Sequence, residues 1–200
     1  VFGGEGGARD ADEIARARSI HVVDLFLDLV MEFGRDLRWY TTVANDDKKV
    51  LRNMVKDDNI LVTFSDAGAH IRNMAFYNLP LRFLKLVKEA ADENSSMMSM
   101  EKAIWRMTGE QADWLGIDAG KIREGDRADL VVINPNCFDQ NLEQVCWAEM
   151  ENFDLQRLVN RNPGLVEHVF INGKIAVDNE QVVEALGHEQ GYGRFLPARS

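Results

Sequence analysis

Cysteine is scarce in this chain. Cys137 and Cys146 are the two present, and they form neither a CxxC pair nor part of a dense half-cystine pattern. A thiolate metal finger and a disulfide framework are therefore both excluded, and a reducing, cytoplasmic setting is the mild preference. Basic charge is also in short supply: 23 Lys and Arg stand against 33 Asp and Glu, for a formal net charge of −10. That sign argues against nucleic acid or an anionic membrane as the main partner and leaves a small molecule or another protein. Long apolar runs are missing too. The stretch 22–30 is interrupted by Asp24 and Asp28, too short and too charged to span a bilayer, and no charged-apolar-small leader pattern opens the chain. No internal repeat and no low-complexity tract is visible.

What is present suits a globular protein. With 200 residues, 46% of them hydrophobic, the chain can bury a real core as one domain or a domain plus a small appendage. Its opening, 1–8, holds four glycines and reads as loop; no apolar strand precedes it, so a phosphate cradle is not indicated. Ile14, Ala15 and Ala17 begin a helical pattern, and a second helix is predicted over 22–33, closed by Gly34 in the left-handed conformation. The β-branched and aromatic run 37–43 predicts a strand. Asn45-Asp46-Asp47 then supplies N-cap chemistry for a helix over 48–56, and 60–64 reads as a strand buried on both faces. Strand, helix and strand in this order imply a parallel βαβ unit and an α/β fold. Helices are predicted over 81–91 and, capped by Ser99, over 99–115.

Beyond Gly116 the pattern turns β-rich. Strands are expected at 130–133 and 166–171, Asn172-Gly173 is a strong hairpin signal, and a short helix is expected over 155–159. The division predicted is an α/β part over 1–116 and a smaller β-rich part over 117–200.

Candidate chemistry gathers after the second predicted strand, in Ser65-Asp66-Ala67-Gly68-Ala69-His70. A carboxylate directly after a buried parallel strand lies at the edge where α/β proteins place their active sites. Gly68 and the alanines leave room for a ligand or metal to approach, and His70 adds a second titratable group. The plainer alternative is that Asp66 caps a turn and His70 is a hydrogen-bonded loop residue. Arg72 and Lys85 have the charge to hold a substrate carboxylate, although basic residues near a loop are more often solvated. Trp105, Trp114, Met97, Met98, Met100 and Met107 have core-like spacing and are expected to pack. His21 is expected alone on an apolar helix face, and His168 and His188 as ordinary strand or surface residues.

The 65–70 segment resembles the SDAGAH-type segment of the N-acyl-D-amino-acid deacylases, within the amidohydrolase superfamily. Four further motifs follow in the order that family shows. Thr108, Ala112, Gly116 and Ile117 are similar to its T-x-x-x-A-x-x-x-G-I helix end. Gly120-Lys121-Ile122-Arg123-Glu124-Gly125-Asp126-Arg127-Ala128-Asp129-Leu130-Val131-Val132 resembles its glycine-punctuated A-D-L-V-V strand entry. Val169-Phe170-Ile171-Asn172-Gly173 and Gly193-Arg194-Phe195-Leu196 resemble its closing segments.

The resemblance implies a (β/α)8 barrel beside a small β-sandwich, of which 1–116 would be the last barrel strands and helices and 117–200 a sandwich segment and tail. It implies hydrolysis of linear amides, N-acyl-D-amino acids first, with one or two divalent metals, usually zinc, as cofactor. Asp66 would be the general base and then general acid, also touching the metal, with His70 a second catalytic candidate and Arg72 a substrate-binding one. A divalent cation brings the pKa of a bound water toward about 7, so a nearby carboxylate suffices and no serine nucleophile is needed. Asp129 reads as structural.

One departure stands out: the family's H-x-H pair and its later histidine ligands have no counterpart before Asp66. Asp66 and His70 cannot supply the three or four ligands that a zinc site needs. The expectation is therefore a C-terminal portion of a longer enzyme, inactive when isolated, with open strand edges that favour a homo-oligomer. The alternatives are a cyclic-amide hydrolase of the hydantoinase or dihydroorotase kind, and a non-catalytic oligomerisation or binding module.

Overall fold

A computed structural model describes residues 10–37, 45, 47–63, 65, 77–150, 153–160 and 162–198. The chain divides into two compact units, 1–51 and 52–200.

In the first unit, α1 (Ala11–Arg18) starts at Asp10, whose carboxylate accepts from the amides of Asp12 and Glu13, and it ends at Ser19 in the left-handed region. Helix α2 (Val22–Phe33) is capped by His21, whose Nδ1 accepts from the Val23 amide at 3.2 Å. His21 is thus a cap and not a residue of the helix face. Gly34 closes α2 where its sequence position predicts and donates its N–H to the Val30 carbonyl, but at φ +53° and ψ −121° it is not in the left-handed helical conformation expected of it. Ile14 and Ala15 pack with Leu25 and Leu29 into a small core. The predicted strand 37–43 lies, apart from Leu37, outside the described residues.

Helix α3 (Lys48–Lys56) has the expected cap: Asp47 accepts from the amides of Lys49 and Val50. The division between the units falls within it. Residues 61–63 are not a strand, and Phe64 lies outside the described residues. The carbonyls of Ile60 and Val62 are taken by the side chains of Arg106 and Gln111, so apolar content predicted a ladder here where side chains do the bonding.

Helix α4 (Leu79–Asp92) carries Pro80 in its first turn, where the missing N–H costs nothing, and buries Phe83, Leu84, Val87 and Ala90. Ser99 caps the next helix through the Lys102 amide as predicted. That helix is broken, however: α5 (Met100–Met107) and α6 (Gly109–Leu115) meet at Thr108, whose φ and ψ are −133° and −81°. Its buried face is Ala103, Arg106, Gly109 and Ala112. Trp105 is 43% exposed and Trp114 70%, which corrects the expectation that these rings form core: the stripe spaced by three, not the aromatic residues, faces inward.

All described α-helices precede Gly116 and all described strands follow it. Strands β1 (Leu130–Ile133), β4 (Val166–Ile171), β5 (Lys174–Asp178) and β6 (Gln181–Val182) form a sheet in the order β1-β4-β5-β6, and β2 (Cys146–Met150) pairs with β3 (Leu155–Val159). Each of these pairings is antiparallel; among the described residues there is no closed barrel. The β4-β5 hairpin turns through Asn172 and Gly173, both at positive φ, the twist-matched two-residue loop that the sequence predicts. The short helix expected over 155–159 is instead β3. Leu155, Leu158 and Val159 satisfy a helical spacing as well as a strand, and pairing with 146–150 decides the matter.

Candidate functional site

Asp66, His70 and Arg72 lie outside the described residues, so the site is approached from its two flanks. On the N-terminal side the chain leaves α3 through an Asx turn in which the Asp57 carboxylate accepts from both the backbone and side-chain N–H of Asn59, at 2.9 Å each. Those bonds hold the Asp57 carboxyl below the usual carboxylate range, with the Arg106 charge adding to the effect. Asp58 is also lowered, by its 2.7 Å bond to the Lys102 ammonium.

Arg106 organises this flank. Its side chain is fully buried on α5, and Nε donates to Glu110 at 3.1 Å, one turn along. Nη1 donates to the Val55 carbonyl, and Nη2 to the carbonyls of Asp57 and Ile60. A guanidinium has no acceptor and five donors in a fixed fork, so it suits a set of converging carbonyls, while Glu110 balances the buried charge. Gln111 continues the row with a bond to the Val62 carbonyl. Val62 precedes Ser65 by a few residues in the chain. Sequence reasoning missed both residues, although an arginine in line with Ala103, Gly109 and Ala112 was the visible signal.

On the C-terminal side, Tyr77 lies under the Arg157 guanidinium, 4.6 Å from ring centroid to Cζ. The next residue, buried Asn78, donates to the Leu142 carbonyl at 2.8 Å and to Asn162 Oδ1 at 3.0 Å. Lys85 is buried and bonded to Glu89 at 2.7 Å and Glu143 at 3.0 Å. Burial works against its charge, but the two carboxylates outweigh this and raise its pKa. Lys85 is therefore committed to tying α4 to the turn Gln140–Glu143 and is not spare for a substrate.

Against this geometry, the family model described as "Amidohydrolase family" matches residues 8–176. The chain belongs to the amidohydrolase family. An uncharacterized protein of Mycobacterium bovis and two uncharacterized proteins from strains of Mycobacterium tuberculosis are each 38% identical to it over 191 residues. These matches cover 92% of this amidohydrolase chain and 31% of each relative, so the chain spans about a third of their length. No solved structure matches it.

Asp129, predicted to be structural, accepts the Asn172 amide at 2.7 Å and pairs with Arg127, anchoring the hairpin to the entry of β1. His168 sits on β4, 3.1 Å from Asp178 on β5. Among the described residues no group of three or more His, Cys, Asp or Glu is placed to hold a metal ion, so the described part of this amidohydrolase does not by itself fit one. Nor is any described helix long and apolar enough to cross a membrane.

Proposed function

We propose that this amidohydrolase is part of a metal-dependent enzyme that hydrolyses linear amides, with N-acyl-D-amino acids as the first substrate class. The observation that carries the reading is family membership across 8–176, a span that includes Ser65-Asp66-Ala67-Gly68-Ala69-His70. In the reaction, Asp66 takes a proton from the attacking water as the new C–O bond forms at the acyl carbon. It then passes that proton to the amine nitrogen as the C–N bond breaks, leaving a carboxylate and a free amino acid. His70 lies near enough in sequence to share in proton handling, and Arg72 has the fork geometry for the substrate carboxylate.

A divalent metal such as zinc would need ligands beyond the described residues. In this reading residues 1–116 belong to a (β/α)8 barrel and 117–200 to a β-sandwich segment; the chain spans about a third of its relatives' length, which supports its being part of a longer protein. The protein assembles as a homo-oligomer in the cytoplasm and acts on a small molecule, not on nucleic acid or membrane.

The test is release of free amino acid from paired N-acetyl-D- and N-acetyl-L-amino acids and ring opening of a hydantoin, using protein made from the whole reading frame that contains this chain. Preference for the D-acyl substrate is expected. Ring opening without amide cleavage would replace this reading with a cyclic-amide hydrolase.

A further inference from the structure

Four backbone carbonyls in a row, those of Val55, Asp57, Ile60 and Val62, are bonded by the side chains of Arg106 and Gln111. The first two are explained by helix capping, since Val55 and Asp57 stand at the C-terminal end of α3, where carbonyls lack intrahelical partners and a positive charge is favourable. Ile60 and Val62 lie past the helix, and bonds to them do nothing for it. Side chains from the α5–α6 pair thus take the carbonyls at both ends of residues 60–62, a segment outside any helix or strand. Nearby contacts reinforce the arrangement: Lys102 of α5 holds Asp58 at 2.7 Å, and Glu110 fixes the Arg106 fork.

We infer that Arg106 and Gln111 are positioning residues that hold the chain leading into Ser65-Asp66 in the register the reaction needs. This rests on the reading of Asp66 as the working carboxylate. Neither residue touches the reacting atoms; they act through the backbone of 60–62. A misplacement of about 1 Å in a catalytic group costs on the order of a hundredfold in rate, so a donor that fixes the approach to Asp66 has leverage on turnover without contributing to substrate binding.

Gln111→Glu tests this with little risk to the fold, because it keeps the side chain's size and leaves the Arg106 cap on α3 untouched while removing the N–H donor to Val62. Two readouts are taken. In protein made from the whole reading frame, amide hydrogen exchange of peptides covering 60–70 is expected to rise about tenfold, with α4 and the β4-β5 hairpin unchanged. In the protein from the whole reading frame, kcat is expected to fall about tenfold with KM within about twofold, and Arg106→Lys, which keeps the charge opposite Glu110 but not the fork, to fall in the same way.

Unchanged exchange at 60–70, or a rise spread evenly over the chain, would overturn the inference, as would a loss confined to KM. Asp66→Asn in the same background keeps the two questions apart. If it retains activity, the assignment of Asp66 fails, while the exchange result still decides whether the clamp holds this segment.

Discussion

At the scale of single residues, the side chains with clear tasks are those that tie one piece of backbone to another. Gly120 sits at φ +73° with the Thr108 carbonyl where a Cβ would go, 2.6 Å away. Gly120→Ala therefore combines a disfavoured conformation with a backbone clash. It is expected to cost about 2 kcal/mol or more, seen as a fall of roughly 4–8 °C in Tm. Asp129→Ala removes the acceptor of the Asn172 amide and is expected to cost about 1–2 kcal/mol by urea denaturation, a loss Asp129→Asn would partly avoid.

Lys85 gives a pH signature. Its folded pKa lies above the ordinary lysine value because Glu89 and Glu143 outweigh its burial. Its contribution to stability is therefore fully present below the unfolded value of about 10.4 and is lost as pH rises through the higher folded value. Urea midpoints taken from about pH 9 to 12 are expected to show this alkaline decline in the parent protein and to lose that component in Lys85→Met.

At the scale of elements, legibility followed how much each one depends on its neighbours. Caps and tight turns were readable because their chemistry is local: Asp47 before α3, Ser99 before α5, and Asn172-Gly173 between β4 and β5 all sit where the sequence puts them. The segments 155–159 and 60–63 were not, because a short apolar run has no period long enough to separate helix, strand and clamped coil. Their outcome is set by partners distant in sequence, 146–150 in one case and Arg106 with Gln111 in the other. The break at Thr108 was hidden for a related reason, since the apolar pattern continues across it while the Thr108 backbone, at φ −133° and ψ −81°, leaves the helical region. Of the candidate site, Asp66, His70 and Arg72 lie outside the described residues, and the bonds of Arg106 and Gln111 to the chain before them were not legible. Arg106→Leu, which strands Glu110 and the carbonyls of Val55, Asp57 and Ile60 together, is expected to cost about 3–5 kcal/mol in urea denaturation.

At the scale of the whole molecule, family membership and coverage of about a third of the mycobacterial relatives frame the account. Large apolar side chains stand exposed on the described strands, among them Val131, Val132, Trp147 and Val182. Surface of this kind is what a further strand layer or a second copy would cover. The measurement that bears most directly on the central claim is zinc content together with amino acid release from N-acetyl-D-amino acids, on this chain and on the protein from its whole reading frame, each with Asp66 and with Asp66→Asn. Metal and turnover are expected in the longer protein alone, with a loss of turnover of about a thousandfold or more on Asp66→Asn. A longer protein that binds no metal and releases no amino acid, or one whose activity survives Asp66→Asn, would contradict that claim.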